Sequence, residues 1–332
     1  MTGKLFRQEN NAVLYSVIIP CYKSSASIRK VVEETMREFR EMALGDVEFV
    51  LVDDCSPDQG ATVNELRRLV HDYPNVTAVE LAANSGQHNA QMAGLNYVRG
   101  DLILSMDDDG QTRPSQIRYL LSELEKGYDV VFAYYPHKEH SKGRNLGSRF
   151  NQWSLRILID KPKDLRVSSF WVIRRFVRDY AVMYHSPDTR MSGLFLRITR
   201  NVSCVQVEHF RRESGKSGYT LKKLIRLWMA IMAFSIVPLQ LAAAAGMITS
   251  IASFIGIIAV IVRKLVRPST AIGWPSTVAA VFFFSGVILL FLGLIGSYLG
   301  RIYLQMTNTP QFVVRQVDEH RYWEHRGDGN EP

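Results

Sequence analysis

The sequence predicts an α/β domain with a mostly parallel sheet, joined to a segment built for a second solvent. Three observations carry this reading. Short β-branched runs alternate with stretches of helical spacing between Ser16 and Ala133, two of those runs end in clustered aspartates, and charged residues vanish for a long interval after Arg226. Strands are expected at 16–20 (S-V-I-I-P), 47–54 (V-E-F-V-L-V-D-D), 76–81, 101–106 and 130–133. Helices are expected at 26–40, 61–71, 87–98 and 114–126. Alternation of this kind needs crossover helices on both faces of the sheet, and ligands then gather beyond the carboxyl ends of the strands. Asp53, Asp54, Asp107, Asp108 and Asp109 fall there.

A chain of 332 residues holds one good-sized α/β domain and something smaller. The mean hydropathy of -0.05 conceals a polar first part and a strongly apolar later one. Cys21, Cys55 and Cys204 are widely spaced and odd in number, which argues against a disulfide framework or a zinc cluster and for a reducing compartment. The first fifteen residues lack an apolar h-region, so no secretory signal is expected and the N-terminal domain is assigned to the cytoplasm. The net charge of +8 does not indicate nucleic acid, because no nucleic-acid motif accompanies it. Instead Arg211, Arg212, Lys216, Lys222, Lys223 and Arg226 precede the apolar segment, where they suit anionic headgroups or a phosphate substrate.

Residues 227–262 pass without a charge. As one helix they would measure roughly 54 Å, too long for a bilayer core of about 30 Å, so the stretch must break. Pro238 is the expected hinge, with a helix lying in the interface at 219–237 and a first span at about 239–262. A second span follows at about 278–299. Two spans return the chain to its starting side, which gives a cytoplasmic catalytic domain at 1–218, a membrane part at 219–305 and a cytoplasmic tail at 306–332. Arg263, Lys264 and Arg267 then face outward, against the larger basic group before the first span.

The chemistry concentrates in M-D-D-D-G-Q-T-R-P at 106–114. Carboxylates grouped this tightly repel one another unless a cation sits among them, and hard oxygen ligands suit Mg2+ or Mn2+ bridging a diphosphate. A solvated acidic turn is the plainer alternative. Asp53 and Asp54 either form an Asx turn set by Pro57 or accept hydrogen bonds from a nucleoside. Asn84, Ser85 and Gly86 read as the start of a helix, and His88 as a structural histidine.

Taken together, I-I-P-C-Y (18–22), V-D-D-C-S-P-D (52–58), N-S-G-Q-H-N-A (84–90), A-G-L (93–95), G-D-L-I-L-S-M-D-D-D-G-Q (100–111) and R-R-E-S-G-K-S-G-Y (211–219) resemble family-two glycosyltransferases of the GT-A type. Within them the chain is most similar to the polyprenyl-phosphate branch of dolichol-phosphate mannose synthases, undecaprenyl-phosphate glucosyltransferases and aminoarabinose transferases. The resemblance runs from about Ser16 to Arg301. It implies a GT-A sheet, a nucleotide-sugar donor of UDP type, a polyprenyl-phosphate acceptor, inversion at the anomeric carbon and a homotetramer in the inner membrane. It implies further that Asp107, Asp109 and Gln111 hold the metal, Asp54 the base and Arg212 the donor diphosphate, with Pro20 and Tyr22 forming the nucleotide floor. Arg144 and Ser148 are assigned to the acceptor phosphate on the same ground. Arg149, next to Ser148 and placed to fold against the strand ends, joins that group, as do Lys216 and Ser217, which lead directly into the interfacial helix.

Several residues depart from the family pattern. Ser24 and Ser25 stand where many relatives carry acids, Asp108 replaces a small residue, Arg113 a proline and Gly218 a common lysine, while Tyr135 occupies the place of an acceptor-binding arginine. Rival readings are a processive polysaccharide synthase, a metal-dependent nucleotidyltransferase and a membrane scaffold that only binds nucleotide. The first lacks its Gln-x-x-Arg-Trp signature here, and the second has no need of two spans.

Overall fold

A computed structural model of the chain describes residues 13–110, 112–135, 165–186, 189–208, 274–306 and 310–320, with single positions at 255, 262 and 266. The chain forms two units, one of Met1–Ser148, Lys161–Gly218 and Asn308–Pro332, the other of Arg149–Asp160 and Tyr219–Thr307.

The first unit is built on eight strands: β1 Tyr15–Cys21, β2 Val47–Asp53, β3 Val76–Leu81, β4 Leu102–Ser105, β5 Val130–Tyr134, β6 Trp171–Arg174, β7 Val202–Gln206 and β8 Val314–Glu319. They lie in the order β7-β5-β6-β4-β1-β2-β3-β8. β4, β1, β2 and β3 run parallel, as do β5 and β7, while β6 and β8 are antiparallel to their neighbours. The helices are α1 Ile28–Glu41, α2 Ala61–Asp72, α3 Gln87–Leu95, α4 Ile117–Leu124, α5 Arg175–Ala181 and α6 Met191–Ile198. The mostly parallel α/β sheet expected from the sequence is therefore present, and its strands at 16–20, 47–54, 76–81, 101–106 and 130–133 all form, with ends shifted by a residue or two.

Two helices differ from expectation. The one expected at 114–126 opens as a 3-10 turn, Pro114–Gln116, because a proline at the first position lacks the N–H to donate and favours a tight start. The one expected at 87–98 stops at Leu95, whose carbonyl accepts Arg178 Nε at 2.8 Å. β6, β7 and β8 were not expected from the sequence at all.

The parallel strands are buried on both faces, which is why they read as continuous apolar runs rather than as alternating ones. α1 turns Ile28, Val31, Val32, Met36 and Phe39 inward at helical spacing, and the Phe39 ring meets Tyr15 edge-on at 5.3 Å. α3 sits close on β1 because Gly94 faces it, and a Cβ there would lie 2.5 Å from Ile18 Cγ2. Pro20 stands within β1 yet costs no ladder bond. Pairing with β4 ends at Ile18, whose carbonyl accepts Met106 N, and the next N–H on that side is the one proline lacks. Cys21, Cys55 and Cys204 are free thiols, as their spacing predicts.

β8 covers the β3 edge, with Leu81 opposite Val314 and Thr77 opposite Glu319. Ion pairs fasten it: Arg67 reaches Asp318 and Glu80 at 3.1 Å each, and Arg315 reaches Glu80 at 3.0 Å. β8 begins beside the carboxyl end of β3.

In the second unit, α7 Trp274–Met306 runs for 33 residues and covers residues 278–299, where the sequence leads one to expect a second span. Val281, Ile288, Leu289, Leu292 and Leu299 on it are exposed. Among the described residues no helix is long and apolar enough to cross a membrane, and part of the side chains of α7 fall outside that description. The expected interfacial helix at 219–237, and all of the first span at 239–262 but for single positions, lie outside the described residues.

Candidate active site

Parallel β1, β2 and β4 deliver their carboxyl ends to one edge of the sheet, and the antiparallel β6 begins there. Beyond β4 the chain turns through Asp107, Asp108, Asp109 and Gly110, the last at φ +69°. Asp107 accepts Gln87 Nε2 at 2.6 Å and Ser169 Oγ at 2.8 Å, one donor from the first residue of α3 and one from the approach to β6. Burial pushes its carboxyl up to about 6; the Ser169 hydrogen bond opposes this, and the charges of Asp109 and Asp108 add to it.

That shift has a sign. A carboxyl raised in the folded state contributes full stability below its unfolded pKa and loses it as pH rises through about 6. Without metal, Asp107→Asn is therefore expected to melt higher than the native protein at pH 8, by about 4 °C for about 2 kcal/mol after allowance for partial exposure. No such gap is expected at pH 4. Melting curves in chelator at both pH values test this, and a gap of equal size at pH 4 and pH 8 would refute it.

Asp108 points elsewhere. Its Oδ2 accepts the Tyr22 N–H at 3.0 Å and the Ser24 hydroxyl. Burial raises its pKa and these bonds counter the rise. Asp53 turns back onto its own loop, accepting the Ser56 N–H three residues on at 3.2 Å and Ser56 Oγ at 2.5 Å, in place of the two-residue Asx turn that Pro57 suggested. Asp54 is buried, and its two oxygens accept the N–H groups of Ser85 at 2.7 Å and Gly86 at 2.9 Å. Gly86 adopts φ 86° and ψ 156°, a conformation essentially confined to glycine. The start of α3 is thus held by a carboxylate just past the end of β2, and no side chain of its own caps it.

His88 is half-buried beside Gln91, and burial, then the nearby Arg190, lower its pKa. It stays neutral near pH 7, in keeping with a structural role. Tyr135, just past β5, shares a hydrogen bond with Thr112 at 2.9 Å; burial raises its pKa, and Asp107 and Asp109 lie near enough to add to that. A cavity of about 810 Å3 opens beside Tyr22 and the aspartate turn, lined among others by Lys23, Lys30, Arg37, Asp109 and Arg113.

The structure thus brings together Pro20, Tyr22, Asp54, Asp107 and Asp109 on one edge. Gln111, Arg144, Ser148, Arg149, Arg212, Lys216 and Ser217 lie outside the described residues. Among the described residues no three or more His, Cys, Asp and Glu side chains form a group that could hold a metal. The sequence analysis did not point to Ser169, although the apolar run F-W-V-I at 170–173 that follows it marks a strand, nor to the role of Gln87, although it stands in the N-S-G-Q motif.

A mostly parallel sheet with an aspartate turn beyond its central strands is GT-A-like. The chain belongs to glycosyl transferase family 2, which it matches over residues 16–191. It is 32% identical over 307 residues to an undecaprenyl-phosphate 4-deoxy-4-formamido-L-arabinose transferase of Yersinia enterocolitica, covering 91% of this chain and 93% of the relative. A Proteus mirabilis protein of the same name is 30% identical, with the same coverage. Bacillus subtilis glycosyltransferase YkcC is 29% identical over 92% of this chain and 94% of its own. Among solved structures, mannosyl-3-phosphoglycerate synthase from Rubrobacter xylanophilus superposes with a TM-score of 0.47 at 16% identity, over 66% of this chain and 71% of its own. The family resemblance carried by the motifs is borne out, and the chain is a glycosyltransferase.

Proposed function

We propose that this glycosyltransferase moves a sugar from a UDP-sugar onto undecaprenyl or another polyprenyl phosphate at the cytoplasmic face of the membrane, with inversion. One observation carries the reading: relatives named as undecaprenyl-phosphate transferases align over 91% of the chain, so the likeness extends past the sheet into the apolar stretch.

In this reading Tyr22 and Pro20 form the floor under the nucleoside, Asp54 takes the base with the lone pairs that Ser85 and Gly86 leave, and Arg212 meets the diphosphate. Arg144, Ser148, Arg149, Lys216 and Ser217 receive the acceptor phosphate. Asp107, Asp109 and Gln111 suit Mg2+ or Mn2+, for their oxygens are hard donors and Asp107 is partly buried among like charges with two neutral hydrogen-bond donors. Such an ion, when bound, neutralises the departing diphosphate. Gln87 and Ser169 orient Asp107 toward that charge. An acceptor phosphate oxygen attacks the anomeric carbon from the face opposite the diphosphate, so one C–O bond forms as the other breaks. A phosphate monoester has its second pKa at about 6 and needs no general base, which agrees with a half-buried His88 whose pKa is lowered.

The pairing of β8 with β3 supports the membrane topology. Chain on either side of the apolar stretches folds into one sheet, which fits an even number of crossings such as the two proposed. Once the native cysteines are replaced, a cysteine at Gly273 should react with an impermeant thiol reagent on intact cells, and one at Gly329 should not. The reverse pattern would overturn the topology. The activity itself is tested by incubating membranes with labelled UDP-sugars, with and without undecaprenyl phosphate and chelator. Label is expected in the lipid phase only with acceptor present and chelator absent; nucleotide binding without any transfer would leave a scaffold.

A further inference from the structure

We propose that Asp108 is a positioning residue of the donor site, tying the loop that carries Tyr22 to the turn that carries Asp107 and Asp109. The proposal rests on the donor reading above. Three consecutive N–H groups after β1 are each held by side chains. Tyr22 N–H meets Asp108 Oδ2 at 3.0 Å and Ser24 Oγ at 2.9 Å, Lys23 N–H meets Ser56 Oγ at 3.0 Å, and Ser24 N–H meets Thr62 Oγ1 at 3.0 Å. These partners are themselves fixed, since Ser56 and Thr62 each donate to a carboxylate, of Asp53 and Asp58, at 2.5 Å. The buried Ser24 hydroxyl donates to Asp108.

The loop needs such holding. Lys23 sits at φ +59°, a left-handed conformation that a side chain disfavours and that persists only when the surroundings fix it. The tethers are not equivalent. Ser56 and Thr62 come from the segment after β2, whereas Asp108 comes from the turn after β4. Losing Asp108 therefore leaves the Lys23 and Ser24 tethers in place while unlinking the nucleoside floor from the metal-facing carboxylates. Since a diphosphate must span from one to the other, the clasp sets the spacing that the donor meets, and the lining of the adjacent cavity by Tyr22, Ser24, Asp108 and Asp109 shows the two loops meeting there.

The test uses the full-length protein in detergent, with UDP and Mn2+ as the probe in calorimetry, amide exchange at Tyr22 without ligand, and donor and acceptor titrations of transfer. Asp108→Ala is expected to weaken UDP binding at least tenfold, to raise the donor KM with the acceptor KM unchanged, and to speed Tyr22 exchange. Asp108→Asn keeps an acceptor oxygen for Tyr22 and should lose less than threefold. The double variant Ser24→Asp with Asp108→Ser, which restores a carboxylate from the other side of the clasp, should recover most of the affinity. Ser24→Ala serves as a milder probe should Asp108→Ala not fold, and should speed Tyr22 exchange as well. Unchanged UDP affinity and unchanged Tyr22 exchange in Asp108→Ala, or in Ser24→Ala where that is the variant available, would overturn the role. So would damage from Asp108→Asn equal to that from Asp108→Ala. A native protein that binds neither UDP nor GDP with Mn2+ would overturn the donor reading and this role together, whereas native binding left intact by Asp108→Ala overturns this role alone.

Discussion

Asp109→Asn is expected to lower sugar transfer by about 10²- to 10³-fold and to abolish most of its dependence on divalent metal, while the protein stays folded. The magnitude follows from the charge at stake. A departing nucleoside diphosphate gathers negative charge, and a ligand that helps hold a cation against it acts most strongly in the transition state. Amide oxygen is a weaker donor to Mg2+ or Mn2+ than carboxylate, so the isosteric change removes charge with little change of shape. Folding should survive because Asp109 lies past the end of β4, in a turn outside the sheet ladder. Asp107→Asn is a less clean experiment, since that carboxylate also orders Gln87 and Ser169. Transfer rates across a Mn2+ titration, with circular dichroism of each sample, decide the matter. Turnover near the native rate with unchanged metal demand would remove Asp109 from the metal site.

The legible parts of this fold are those in which one physical cause dominates. β1, β2 and β3 are buried on both faces, so each reads as a continuous apolar run, and the crossover helices between them carry regular spacing. β7 and β8 escaped because neither has such a pattern, whereas β6 has one, Trp171, Val172 and Ile173 being fully buried, but over a very short run. Trp171–Arg174 is four residues long, Val202–Gln206 is only partly buried, and Val314–Glu319 is a mostly polar edge strand held by ion pairs to residues far away in sequence. The aspartates themselves were visible at the strand ends, but their division of labour was not. Three adjacent carboxylates look alike in sequence, and only the fold sends Asp107 to Gln87 and Ser169 and Asp108 to the loop after β1. Asp54 shows the same limit: its place at a strand end pointed to a nucleoside, while its partners in the structure are backbone groups of another loop.

That difference makes Asp54→Asn the second informative change, with an expected loss of about 10²-fold in transfer and of about 2 to 4 kcal/mol in stability. The carboxylate accepts two backbone N–H groups from within a buried site, and bonds to a charged acceptor contribute about 1.5 to 3 kcal/mol each. Asparagine keeps one acceptor but turns an NH2 group toward the other N–H, so one bond is lost and two donors are set against each other. The disturbance should travel a short covalent path. Ser85 and Gly86 precede Gln87, whose side chain reaches Asp107 at 2.6 Å, so loosening residues 84–86 releases one of the two bonds that orient the metal-facing carboxylate. A clamp of this kind lowers kcat and melting temperature together and weakens metal binding, whatever base the donor carries. A residue that reads the base alone raises the donor KM, leaves melting unchanged, and alters the preference between UDP and GDP. Measuring kcat, donor KM and melting temperature for Asp54→Asn therefore separates the two roles. An unchanged melting temperature would show that the bonds to Ser85 and Gly86 do not hold the start of α3.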